Sequence, residues 1–173
     1  MPKSGNYPKI TQLKRFLFES SLKRQSAIIN VDDGTRRNGT NKIVCKGAPE
    51  VIEKYLKKVP EGYTEHYINF VKDGARVLAL AHRELRMQSN EAQLMTRDEA
   101  EKDLEFCGFI ISVCPMKEDT KAVIEELVYS NHEVKMITGD NQLTAAYVAQ
   151  ELNFAPDSKR RSLFVASATP GNE

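Results

Sequence analysis

The chain has 173 residues, with 25 Lys plus Arg against 24 Asp plus Glu and a formal net charge of +1. That length suits one or two domains at roughly 100–200 residues each, and the balance excludes a strongly basic nucleic-acid binder and an acidic tail protein, so no nucleic-acid partner is expected. No apolar run approaches the ~20 residues that cross a bilayer. Met1 to Gly5 carries no signal-peptide core, so the chain reads as neither secreted nor membrane-spanning.

In chain order, residues 1–13 are rich in Lys, Pro, Gly and Ser and read as a loose end. A strand is expected from Lys14 to Ser20, with Phe16 and Phe18 on one face by the two-residue period. Ala27 to Val31 and Lys42 to Cys45 are further strands, separated by the polar, glycine-containing loop 32–39. Pro49 suits a first helical turn, and Val51, Ile52, Tyr55 and Leu56 continue it at helical spacing. A second helix runs from Thr64 to about Asp73 and stops at Gly74. Ala75 to His82 reads as a buried strand, and the charged stretch Asn90 to Asp103 as one exposed helix. Phe106 to Val113 is a continuous apolar strand. Past Pro115, a helix places Glu118 and Asp119 in its positive first turn and buries Val123, Ile124, Leu127 and Val128. A strand Val134 to Ile137 and a helix Gln142 to about Leu152 complete a strand–helix–strand–helix series, the pattern of a parallel βαβ unit. The fold class is therefore α+β followed by α/β, divided near Cys114: one piece over 14–113 and one over 114–154. Residues 155–173 read as a disordered tail.

Cys45, Cys107 and Cys114 form no C-x-x-C pair, and His66, His82 and His132 lack metal-ligand spacing. Neither a disulfide framework nor a metal site is expected in this chain. Four segments can carry chemistry. Met136-Ile137-Thr138-Gly139-Asp140-Asn141 follows a strand and opens a helix. Such a turn offers backbone N–H groups to an anion, Thr138 adds a hydroxyl, and Asp140 can face a metal-bound phosphate. An Asp/Asn helix cap explains the same residues. Lys46-Gly47-Ala48-Pro49-Glu50 leads from strand to helix. Lys46 can contact a nucleotide as a point charge, or be an ordinary exposed lysine at a turn. Phe18 with Lys23 can stack a base and hold phosphates, or be core and surface respectively. Arg76 can make bidentate phosphate contacts, or cap a strand end. No nucleophile constellation is present, and Ser26 has no His/Asp partner in view.

Taken together and in order, Phe18-Glu19-Ser20-Ser21-Leu22-Lys23-Arg24-Gln25-Ser26, Lys46-Gly47-Ala48-Pro49-Glu50, Gly74 to Ala81 and Met136 to Asn141 resemble the cytosolic part of a P-type ATPase. Ser20 to Arg24 is similar to the type V branch. Phe106 to Ile110 followed by Cys114-Pro115-Met116-Lys117 resembles subtype A, the endoplasmic reticulum transporters that extract misinserted transmembrane helices. The resemblance spans about residues 8–154. It implies the later part of a nucleotide-binding domain over 14–113 and a partial haloacid-dehalogenase-like, Rossmann-like phosphorylation domain over 114–154, with 114–117 as the hinge. It also implies that Phe18 stacks adenine, that Lys23, Lys46 and Gly47 line the ATP pocket, and that Arg76 reaches the phosphates. Thr138, Gly139 and Asp140 would hold the transferred phosphoryl group and its Mg2+ surroundings. The implied partners are ATP and the remainder of a P-type ATPase with its membrane domain, at the cytosolic face of the endoplasmic reticulum.

The departures are specific. The D-K-T-G-T block with the phosphorylated aspartate and the G-D-G-x-N-D block with the magnesium aspartates are absent from the 173 residues. Cys114 stands where many relatives carry aspartate, Gln25 stands where methionine is common, and residues 155–173 carry no recognised motif of the family. A phosphate clamp without its nucleophile forms no aspartyl-phosphate. Two functions therefore stand side by side: the ATP-binding portion of a transport ATPase, or a non-catalytic nucleotide-binding or interaction module.

Overall fold

The computed structural model describes residues 7–36, 38–139 and 142–154. The described residues divide into two compact units, those within 7–67 and 77–110, and those within 68–76 and 111–154. The described secondary structure runs β1 (Lys9–Glu19), β2 (Arg24–Asp32), β3 (Thr40–Gly47), α1 (Pro49–Ile52), a 3-10 turn (Glu53–Tyr55), α2 (Tyr63–Lys72), β4 (Arg76–Leu85), α3 (Ser89–Leu94), α4 (Arg97–Ala100), β5 (Glu105–Ser112), α5 (Thr120–Tyr129) and α6 (Gln142–Glu151). The five strands form one sheet in the order β1-β2-β3-β4-β5. The pairs β1/β2, β2/β3 and β3/β4 are antiparallel.

In the first unit, alternation along β2 and β3 sends Ile28, Ile43 and Cys45 inward and leaves Gln25, Ala27, Val44 and Lys46 on the more open face. Ile28, Ile43, Ile52 and Leu104 are fully buried. Beside them Tyr63 meets Phe106 and Phe109 with ring centroids 5.0 and 4.9 Å away, and its hydroxyl donates to the Pro49 carbonyl at 2.9 Å. That bond satisfies the Tyr63 hydroxyl within this aromatic cluster.

Several expectations differ from the observed elements. β1 begins at Lys9, inside the stretch read as loose, because Lys9 and Ile10 pair with Asp32 and Val31 and the ladder outweighs the polar composition. The two-residue period does not carry from Phe16 to Phe18. The register slips between Phe16 and Glu19, leaving Phe16 half-buried and Phe18 60% exposed. Asn90 to Asp103 is not one exposed helix. Thr96 accepts from the Glu99 amide and Glu99 accepts from the Thr96 amide, a capping box that starts a new helix and splits the stretch. Ala100, Glu101 and Leu104 beyond it are buried. Finally, Val134 to Ile137 forms no strand and belongs to no ladder among the described residues.

Within the second unit, Thr144 of α6 is buried and its hydroxyl donates to the Ala75 carbonyl at 3.4 Å. Gly74 carries φ +79°, and a Cβ there would lie 2.4 Å from the Tyr147 ring, so only glycine fits. α5 has no buried residue. Val123 and Val128, expected on its buried face, are exposed.

The deepest polar contact of the first unit centres on Glu101, whose side chain is fully buried. Its Oε2 accepts from Arg24 Nε at 2.5 Å, and its Oε1 accepts from Arg97 Nε at 3.1 Å and from the Ser26 hydroxyl. The Arg24 guanidinium lies 4.4 Å from the Tyr55 ring centroid. Burial alone lowers the Arg24 pKa, but the hydrogen bond and charge of Glu101 outweigh it and the net shift is upward.

Two outcomes follow. Glu101→Gln leaves a buried guanidinium facing a neutral amide, a loss of about 3–5 kcal/mol by analogy with other broken buried pairs; urea unfolding should show a much lower midpoint, and an unchanged one would refute the assignment. Cys45 is buried, and burial first, then Glu101, pushes its thiol up to about 12 from 9.0. A folded pKa raised in this way contributes stability fully below about pH 9 and loses it as pH climbs toward 12. Native alkylation at pH 8, mapped by mass spectrometry, should therefore label exposed Cys107 and Cys114 and spare Cys45 until the chain unfolds.

Candidate functional site

The β1–β2 connection is a tight turn. Leu22 and Lys23 amides donate to the Glu19 carbonyl at 3.1 and 2.8 Å. Lys23 takes φ +48°, a left-handed conformation unusual for a lysine. Its carbonyl then accepts from the Ala48 amide at 3.0 Å. That bond draws the Lys46-Gly47-Ala48 turn at the end of β3 against the start of β2, where Arg24 pairs with Gly47. Gly47 is required by this approach: a Cβ would lie 2.7 Å from Arg24 Cβ and 2.8 Å from the Lys23 carbonyl oxygen. Lys23 Nζ reaches Glu50 Oε1 at 3.8 Å, an exposed pair of small energetic weight.

Lys46 is exposed and borders a shallow depression of about 230 Å³ with Gln25, Ala27, Val44 and Leu80. The pairing Gln25–Lys46–Leu80 across three strands explains why these residues share one face. A larger depression, about 560 Å³, lies at the opposite end of β3. Its polar groups already pair with one another: Arg36 with Glu84 at 2.9 Å, the Asn41 amide with the Met87 carbonyl at 2.9 Å, and the Ser89 hydroxyl with Asn41 Oδ1 at 3.1 Å. It offers little unsatisfied chemistry for a ligand.

Phe18, Lys23, Lys46 and Gly47 thus belong to the first unit, and the structure brings Lys23 and Gly47 into direct contact. Arg76, Thr138 and Gly139 belong to the second. Arg76 opens β4 and its Nη1 lies 3.9 Å from Cys114 Sγ. Thr138 and Gly139 are exposed ahead of α6. Asp140 lies outside the described residues. Among the described residues no three His, Cys, Asp or Glu side chains gather closely enough to hold a metal ion, and no helix is long and apolar enough to cross a membrane.

Composition and motif reading missed the residues that hold the hairpin. Glu101 and Arg97 passed as charges on a solvated helix, and Ser26 as a serine without partners. One signal was available. Thr96-x-x-Glu99 marks a helix start, and Arg97 and Glu101 then stand four apart on one face of the turn that follows.

Comparison with known proteins adds a family. Residues 3–119 match the family described as P-type ATPase, cytoplasmic domain N. The chain is 37% identical over 174 residues to the Arabidopsis thaliana protein named "Probable manganese-transporting ATPase PDR2", covering 100% of this chain and 14% of that one. Against the endoplasmic reticulum transmembrane helix translocase of Schizosaccharomyces pombe it is 40% identical over 148 residues, 83% of this chain and 12% of the other. Against the polyamine-transporting ATPase 13A3 of Macaca fascicularis it is 36% identical over 163 residues, 91% and 13% respectively. The chain therefore spans about an eighth of the length of these relatives. It belongs to the P-type ATPase family and carries sequence of that family's cytoplasmic domain N.

Proposed function

We propose that this chain forms part of the ATP-binding portion of a type V, subtype A P-type ATPase working at the cytosolic face of the endoplasmic reticulum. In the intact protein, ATP would phosphorylate an aspartate supplied by sequence outside these residues, and the cycle would drive movement of a membrane substrate, with misinserted transmembrane helices the favoured class. The observation that carries this reading is the Ala48-to-Lys23 hydrogen bond at 3.0 Å. It packs the Lys46-Gly47-Ala48-Pro49-Glu50 block onto the turn within the Phe18-to-Ser26 block, so that two segments far apart in sequence serve one place.

Each side chain has a distinct task in this reading. Phe18 leaves an aromatic ring 60% exposed at the end of a strand, available to stack on adenine. Lys23 and Lys46 supply positive charge without a buried partner, which suits polyanionic phosphates. Gly47 contributes absence of bulk. Arg76 would contact the phosphates, and Thr138, Gly139 and Asp140 would steady the transferred group in the intact protein. Magnesium enters through the family. Among the described residues no group of three His, Cys, Asp or Glu side chains stands close enough to hold it.

The second reading is a non-catalytic nucleotide-binding or interaction module. Calorimetric titration of the 173-residue chain with ATP tests the first. Phe18→Ala should weaken binding by about 10-fold, in line with ~1–3 kcal/mol for one base on one aromatic, and Lys46→Ala by roughly 5-fold or more as one charged contact is lost. Equal affinity in wild type and both variants would refute the assignment. Incubation with labelled ATP should leave no acid-stable phosphoprotein. A transcript joining these residues to an upstream D-K-T-G-T segment and membrane spans would dispose of the module reading.

A further inference from the structure

We propose that Arg97 is a positioning residue for nucleotide binding, acting through Phe18, with Glu101 as the anchor that fixes it. This rests on the reading of Phe18 as a nucleotide contact. Three bonds carry it. Arg97 Nη2 donates to the Leu17 carbonyl at 2.7 Å, and Arg97 Nη1 pairs with Glu19 Oε1 at 2.5 Å. These are the residues on either side of Phe18. The third arm, Nε, is held by Glu101 Oε1 at 3.1 Å.

The geometry suits this task for a physical reason. Phe18 lies where the β1–β2 register slips, so the ladder does not fix its backbone there. Phe18 itself is 60% exposed, so packing against the protein covers less than half of it. A guanidinium is a rigid fork, and with one arm on a buried carboxylate it presents the other two in a set geometry. Arg97 also lies 5.9 Å from the Phe16 ring centroid, which secures the strand one turn of the pleat earlier. The loop thus meets a ligand already ordered, and less of the binding free energy goes into fixing it.

The test is a double-mutant cycle on the full chain, read by ATP titration with thermal melting of every variant. Arg97→Met should fold, because Glu101 keeps Arg24 and Ser26. It should bind ATP roughly 5-fold more weakly, as one set of charged hydrogen bonds to the loop is lost. Combined with Phe18→Ala, it should add almost nothing to the loss from Phe18→Ala alone, since residues acting through one another are non-additive. A general structural role would instead weaken both backgrounds alike. Should Arg97→Met fail to fold, Glu19→Ala frees the same loop from an exposed position and should weaken ATP binding by about 2–3-fold. If Phe18→Ala weakens binding while Arg97→Met and Glu19→Ala leave it unchanged, or if the losses multiply in full, the positioning role is overturned and the nucleotide reading survives. If Phe18→Ala and Lys46→Ala bind ATP as wild type does, the nucleotide reading fails and takes the positioning role with it.

Discussion

One buried carboxylate organises the first unit. Glu101 has no exposed side-chain surface, and an unpaired charge in that position would cost far more than the few kcal/mol that separate folded from unfolded chains. It is tolerated because two guanidinium groups and a hydroxyl converge on its two oxygens. Desolvation is thereby shared among groups that also bond elsewhere: Arg24 over the Tyr55 face, Arg97 on Leu17 and Glu19. Such a centre contributes little net stability compared with an apolar replacement of the same shape. What it supplies is geometry, because its partners lose their bonds if any of them moves.

Those partners are distributed with a clear consequence. Arg24 and Ser26 sit on β2 immediately after the turn at Lys23, and Arg97 reaches β1 immediately before it. Glu101 therefore grips both ends of one hairpin from a single point in a segment that follows α4. The left-handed Lys23 is the expensive element of that hairpin, at about 1 kcal/mol or more for a non-glycine residue. It persists because the backbone around it is over-determined: two amides on the Glu19 carbonyl, one amide from Ala48 on its own carbonyl, and the fixed start of β2. Glycine at position 47 allows the second loop to come close enough to make the last of these bonds.

The sequence was informative where local chemistry decides structure and silent where distant pairing does. Strands rich in Ile and Val, the proline-initiated turn at Pro49 and the helix ending at Gly74 follow from residue type and period, and the structure has them. The motif Lys46-Gly47-Ala48-Pro49-Glu50 was legible as a block, but the reason for its glycine was not: the atoms that exclude a side chain there come from Arg24 and Lys23, more than twenty residues earlier. Alternation failed at Phe18 because a register slip is set by the partner strand. Glu101 was read as one more charge on a solvated helix, since burial of a carboxylate depends on two arginines whose arrival no local pattern announces. The expected strand at Val134 to Ile137 needed a neighbour, and apolar character alone does not make a ladder.

The contrast between Phe16 and Phe18 sharpens the functional argument. Two phenylalanines two residues apart on one strand would both pack if the alternation held. Phe16 does so partly, with Lys14 at 5.3 Å and Arg97 at 5.9 Å from its ring centroid. Phe18 stays 60% exposed, a placement that forgoes part of the ~1.5–3 kcal/mol its burial would contribute. A single exposed aromatic ring is unremarkable on any surface. An exposed ring whose two flanking residues are both bonded to one arginine, itself fixed by a buried carboxylate, is different: its backbone is held more firmly than its partial packing accounts for. A main chain fixed on both sides of a mostly exposed ring is the arrangement that the proposed stacking role of Phe18 requires.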